Sequence, residues 1–292
     1  MDGSPSDGVA LHADARLHPM AAPHADALLN MQQRAAHLAT CSARWVGRHE
    51  APRGKYFLWA HGQVNWCRPA HLAFIHIFKA ASSTVGAAFK RACSLAHGAD
   101  GVTTLCGRSQ NDSWCQGSLE VLIGENVTYF TVVRNPIDRW PSGVYEQARR
   151  GLLPEWLYNM ARSKGVSEVA LASAAFKEQS GASSRGDPHV QPQTDFVSIN
   201  GGFILPRLEY VARLEELESE LIILMNRFFG SEVAQSLPEL LQAMTLRNRS
   251  SESYSGKAEH HRGTRFLNLP TSAVLPQLSS YYARDIECLG YT

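Results

Sequence analysis

Leu72-Ala73-Phe74-Ile75-His76-Ile77-Phe78-Lys79-Ala80-Ala81-Ser82-Ser83-Thr84 is an apolar run that stops abruptly in a loop of small and polar residues. The run reads as a buried strand, and a helical pattern begins at Ser83. A strand that enters a helix through such a loop leaves the first backbone N–H groups of the helix facing whatever lies beyond the strand end, which makes an anion site. The arrangement recurs 50 residues after Thr84, where the run Tyr129 to Val133 leads into Arg134 and Ser142 follows eight residues later. Two such turns fit a ligand phosphorylated at both ends. Lys79 in the first and Arg134 in the second add fixed charge and donors.

Working outward, strand Leu72 to Ile77 is followed by helix Ser83 to Cys93, and strand Tyr129 to Val133 by helix Pro136 to Arg150, whose proline suits the first helical turn. Strands alternating with helices predict an α/β protein: a single domain with a central parallel sheet flanked by helices, right-handed crossovers and P-loop-like phosphate-binding turns. Residues 1 to about 25 lack periodicity and read as a tail, and Ala25 to Ala43 has a helical pattern that can pack on the domain. The core starts near Ala70, which divides the chain into a tail with an accessory helix (1–69) and a main domain (70–292). Ala96 to Gly117 reads as a long substrate-side loop, and a second loop starts at Ser180. Arg213 to Phe229 reads as an amphipathic helix stopped by Gly230.

Composition narrows the function. The 28 basic and 27 acidic residues leave a net charge of +1, which argues against a nucleic-acid partner. No apolar run approaches the roughly 20 residues that span a bilayer, and the N-terminus lacks the basic start and apolar stretch of a signal peptide. The chain as written is therefore expected to be soluble: cytoplasmic as it stands, or from the Golgi lumen if an anchor was lost. Six cysteines contain no CxxC pair, so a structural zinc site is not expected; Cys106 and Cys115 close a short loop that a disulfide could bridge.

The order and spacing of the two turns resemble the sulfotransferases that use 3′-phosphoadenosine 5′-phosphosulfate (PAPS), in particular the membrane-associated carbohydrate sulfotransferases. In that family the first turn holds the 5′-phosphosulfate, and an Arg with a Ser eight residues on holds the 3′-phosphate. Tyr210 to Leu217 is similar to the family's helix after its fourth strand, and Tyr282-Ala283-Arg284-Asp285 through Gly290-Tyr291 to its C-terminal ending, so the resemblance spans Leu72 to Tyr291. It implies PAPS as sulfuryl donor with no metal, and a carbohydrate or small-molecule acceptor. Residues 70–292 are then the sulfotransferase domain.

Carried onto this sequence, the resemblance makes Lys79, Ala80, Ala81, Ser82, Ser83 and Thr84 the 5′-phosphosulfate turn, with Lys79 neutralising the leaving oxygen and one of the hydroxyls doubling as a helix cap. Arg134 and Ser142 are the 3′-phosphate pair; the alternative for Arg134 is a structural ion pair with Asp138, and Pro141 inside the helix can bend it away from Ser142. Arg139 faces either the substrate or a carboxylate inside the fold. Removing a proton from the acceptor calls for a group that titrates near neutrality. Asp187-Pro188-His189-Val190-Gln191-Pro192-Gln193 resembles a His-containing segment of the family, which makes His189 the first candidate for general base and His97 the second; His76, inside a strand, reads as a core histidine. Lys257 and Arg262 lie in a basic loop where relatives close over the cofactor. The competing readings are a P-loop nucleotide kinase and a non-catalytic interaction protein. The first wants its Lys at the helix end of a Gly-rich loop, whereas Lys79 begins this loop and no glycine lies between Phe78 and Thr84.

Overall fold

The computed structural model describes residues 22–48, 62–107, 115–180, 187–199, 203–239, 241–242, 266 and 269–291. Along the chain run α1 (Ala22–Arg48), β1 (Gln63–Cys67), β2 (Leu72–Ile75), α2 (Ser82–His97), β3 (Val102–Cys106), β4 (Gly117–Ser118), β5 (Thr128–Val133), α3 (Pro136–Arg149), α4 (Glu155–Arg162) and α5 (Glu168–Ser180). There follow α6 (Gln193–Phe196), β6 (Ser198–Ile199), β7 (Phe203–Ile204), β8 (Leu208–Arg213), α7 (Leu217–Phe229), α8 (Ser231–Gln235), α9 (Leu275–Tyr281) and α10 (Ala283–Leu289).

Six strands form one sheet in the order β4-β3-β1-β2-β5-β8. β2, β5 and β8 are parallel, and β3 is parallel to β4, while β1 runs antiparallel to both β2 and β3. The sheet is thus mixed and mostly parallel, flanked by helices, as the alternation of strands and helices predicts. The parallel strands are buried on both faces, which is why they read as continuous apolar runs. On one face Phe74 and Phe130 pack with Phe89 of α2 and Leu224 of α7; on the other, Ala73, Ile75 and Val133 pack with Val211 and Phe196. A third cluster joins α3, α4, α5 and α9 through Trp140, Leu157, Leu171 and Leu278.

Three sequence readings are corrected. The sheet begins at Gln63, seven residues before Ala70, because β1 folds back on β2 in register Val64↔Ile75 to Cys67↔Leu72. Val102–Cys106, inside the expected long loop, is strand β3, and its existence depends on β1 as a partner. Leu208–Arg213 is strand β8, so Tyr210 to Arg213 is not helical; helix α7 begins only at Leu217, after a 3-10 turn at Leu214–Glu216. Four consecutive parallel pairings from Phe130↔Tyr210 to Val133↔Arg213 override the helical pattern there.

Helix α1 packs along β8 and against α10. Its Arg34 donates from Nε to the Val211 carbonyl at 2.8 Å and pairs with Glu220 of α7, which covers the outer edge of the sheet. All six cysteines are paired, as Cys41–Cys288, Cys67–Cys93 and Cys106–Cys115. The first of these ties α1 to α10 across 247 residues of chain. Replacing Cys41 and Cys288 together by Ser is expected to lower the unfolding free energy by about 2–4 kcal/mol. Urea titration checks this, and an unchanged midpoint would mean that packing alone holds α1. No helix among the described residues is long and apolar enough to cross a membrane.

Candidate active site

Both strand-to-helix turns stand at the C-terminal ends of adjacent parallel strands, β2 and β5, where open α/β sheets bind ligands. The first is unusual in its backbone. Lys79 and Ala81 have φ of 65° and 57°, left-handed values that cost a residue with a Cβ about 1–3 kcal/mol each. The two left-handed residues turn the chain sharply from strand to helix, with the Ala80 amide donating to the Ile77 carbonyl at 3.2 Å, and the amides that open α2 have no acceptor inside the helix and suit an anion. Ala81 is the N-cap of α2 and has no side-chain oxygen, so none of Ser82, Ser83 or Thr84 caps the helix; they are its first three residues. Ala80 is buried behind the turn.

In the second turn, Asn135 caps α3 by accepting from the Ile137 amide at 2.9 Å. Arg134 donates from Nη1 to Ser142 Oγ at 3.2 Å rather than pairing with Asp138. Pro141 lies inside α3, yet the helix continues to Arg149 and Ser142 stays beside Arg134. The backbone of Arg134 is gripped by one side chain: Gln193 accepts from its N–H at 2.9 Å and donates to its carbonyl at 2.6 Å. Gln193 is held in turn by Asp285, which accepts from the amides of Gln193 and Thr194 at 2.6 and 2.9 Å. The C-terminal Arg284-Asp285 motif therefore reaches the Arg134 turn through α6.

His189 lies in the segment before α6. Its Nδ1 is 2.9 Å from Asp187 Oδ1, which also accepts from the His189 amide at 2.8 Å. Burial by itself would raise the Asp187 carboxyl, but the bonds from His189 and Gln147 hold it below its usual range. An anionic Asp187 on Nδ1 fixes the ring so that Nε2 is the nitrogen left for other partners. The ring stands edge-on to Phe78, with centroids 5.0 Å apart. Gly143 lets the His189 backbone lie against α3, since a Cβ there would meet the His189 carbonyl oxygen at 2.3 Å.

Arg139 settles neither on substrate nor on a carboxylate. Fully buried, it donates to the carbonyls of Phe78 and Gln191 at 2.7 Å each and to Pro188 at 3.3 Å. One guanidinium thus ties the residue before Lys79 to the residues on either side of His189.

Lys79, Ser82, Ser83, Thr84, Arg134, Ser142 and His189 all line one cavity of ≈ 870 Å³. Its described lining carries five cationic side chains, Lys79, Lys90, Arg134, Arg149 and Arg150, against one carboxylate, Glu146. A second cavity of ≈ 520 Å³ shares Arg134 and Ser142, and a third of ≈ 1110 Å³ shares Thr84. His76 is buried and also reaches the first cavity; its Nε2 lies 2.7 Å from Asn65 Nδ2. Burial first, then Lys90, pushes its imidazole down to about 3, so it is neutral at physiological pH.

His97 is not brought to this site. The helix expected to stop at Cys93 runs on to His97, which stacks edge-on with Phe229 at its far end, about 20 Å along the axis from Thr84 at 1.5 Å per residue. Lys257 and Arg262 lie outside the described residues. Sequence reading did not find Glu146, Gln193 or the tie made by Arg139. Only the Glu146 pairing with Arg149 and Arg150, at i,i+3 and i,i+4, leaves a mark in the sequence.

A mostly parallel sheet with two strand-to-helix turns side by side, one cationic cavity and a carboxylate-oriented histidine is an arrangement suited to transfer of an anionic group. The sulfotransferase family matches residues 63–292, from the first residue of β1 to the C-terminus, and the chain belongs to it. No curated protein and no solved structure matches the chain.

Proposed function

We propose that this sulfotransferase moves the sulfuryl group of PAPS to a hydroxyl or amine of a carbohydrate or small-molecule acceptor. The observation that carries the reading is the convergence of Lys79, the Ser82–Thr84 amides, the Arg134–Ser142 pair and His189 on one cationic cavity. A ligand with phosphates at both ends fits that charge distribution, because the two cationic turns are separate and each has its own donors. PAPS, when bound, supplies an activated sulfuryl group and a good leaving phosphate. Arg134 and Ser142 hold the 3′-phosphate; the Ser82, Ser83 and Thr84 amides hold the 5′ end, and Lys79 neutralises charge growing on the leaving oxygen. His189 takes the acceptor's proton at Nε2, with Asp187 stabilising the imidazolium that forms.

The cysteines support a reading of the compartment. Three disulfides with no free cysteine among the six favour an oxidising lumen over a reducing cytosol, which goes against the cytoplasmic alternative.

Calorimetry with adenosine 3′,5′-bisphosphate tests the donor assignment. Binding is expected in the presence of chelator, and Arg134→Ala should weaken it about 10- to 100-fold through the loss of charge-assisted hydrogen bonds. Binding that required Mg²⁺, or a preference for ATP, would overturn the reading in favour of a kinase.

A further inference from the structure

Lys79 Nζ donates to Glu146 Oε2 at 2.9 Å, across 67 residues of sequence, from the first phosphate turn to the third turn of α3. Arg149 reaches the same carboxylate through Nε at 3.2 Å and Nη2 at 2.6 Å, and Arg150 through Nε at 2.6 Å. We infer that Glu146 is the positioning residue of Lys79: it fixes the ammonium at the mouth of the phosphate turn and keeps it protonated, while two arginines keep the carboxylate from cancelling its charge. The inference rests on the sulfotransferase reading above.

Three features favour this over an ordinary set of surface ion pairs. The Glu146 side chain is 7% exposed and that of Lys79 26%, so the pair sits largely out of water, where an ionic hydrogen bond is strong and its loss is felt. The carboxylate has all its lone-pair directions engaged, so it is a poor proton acceptor and not a rival to His189. Burial would raise it, but bonds from Arg149, Lys79 and Arg150 outweigh that and hold it well below the usual range. Finally, one negative charge shared among three cations leaves a surplus of positive charge facing the cavity. An ammonium has three donors and Glu146 uses one, so Lys79 keeps others for a ligand oxygen.

The protonation argument has a definite sign. Burial lowers the proton affinity of Lys79, Glu146 opposes that, and Arg150 and Arg149 add to it. His76, Lys90, Arg134, Tyr145 and His189 line the same cavity, and none of them is a carboxylate, so none replaces Glu146 as a counter-charge. Without Glu146, Lys79 loses its proton at lower pH.

The alkaline loss of turnover with labelled PAPS, followed between about pH 7 and about pH 10, reads this directly, because that limb reports the ammonium that Lys79 supplies in the transition state. Glu146→Gln is expected to move that loss to lower pH by about 1 to 3 units. Glu146→Asp, which draws the carboxylate back, should move it the same way by a smaller step, and it serves if the Gln variant does not fold. In a Lys79→Ala background neither substitution should move it. A loss at the same pH in wild type and both variants, or a shift that persists without Lys79, would overturn the role. A wild type that does not bind the bisphosphate at all would sink the sulfotransferase reading itself, a distinct result.

Discussion

Lys79→Ala is expected to lower turnover by on the order of 10² to 10³, the cost of deleting one preorganised donor at a developing negative charge. Binding of adenosine 3′,5′-bisphosphate should fall far less. The reason lies in what each part of the first turn does. The backbone amides of Ser82, Ser83 and Thr84 open helix α2 and remain when the side chain of residue 79 is cut away. Charge on the leaving oxygen, by contrast, grows only as the bond to sulfur breaks, and Lys79 is the cation nearest that turn. Interactions that strengthen only in the transition state appear in kcat rather than in ground-state affinity. Arg134→Ala should show the opposite balance, because in the proposed role its fork holds the 3′-phosphate, remote from the reacting bond. Steady-state kinetics of both variants with labelled PAPS checks the division; equal losses of turnover and affinity in the two would show that it is wrong. A fully folded protein that binds the bisphosphate but has no turnover to lose would support the non-catalytic alternative.

His189→Ala should cost on the order of 10² to 10⁴ in turnover while leaving bisphosphate binding intact. The ring is positioned from three sides: Asp187 on Nδ1, Phe78 at its edge, and the Arg139 tie to the Pro188 and Gln191 carbonyls. This predicts a graded series. Asp187→Asn should lower turnover less than His189→Ala, since the base remains but its tautomer and orientation are no longer enforced. His97→Ala should retain turnover, its ring being at the far end of α2. If His189→Ala keeps near-normal activity, the base is a different group.

The Arg139 arrangement also explains how two distant sequence motifs stay in register. Phe78 and Gln191 are 113 residues apart, yet their carbonyls accept from adjacent nitrogens of one buried guanidinium. A planar fork with fixed donor spacing suits that task better than an ammonium. Burial without a carboxylate partner lowers the proton affinity of Arg139, with Tyr282, Asp285 and Tyr281 acting the other way. The cost of burying the charge is offset by three carbonyl acceptors, so its role is architectural.

Local features were legible in the chain. The strand-to-helix turn at Leu72 to Thr84, the Arg134–Ser142 spacing and the proline opening α3 each depend on residues close in sequence, where propensity and the geometry of a helix start decide the outcome. The Asp187–His189 pair is equally local. What the sequence alone misread depended on partners far away. β1 and β3 are short strands that exist by pairing with one another and with β2, and Tyr210 to Arg213 is extended because β5 lies beside it. The distant ties follow the same rule. Glu146 on Lys79, Gln193 on the Arg134 backbone and Asp285 on α6 join residues at least 59 apart in sequence. The chain thus specifies each strand-to-helix turn by itself, since an anion cradle needs only a strand end and a helix start. Their alignment into one cavity is decided by buried polar contacts, which form only when packing excludes water and brings remote segments within about 3 Å of one another.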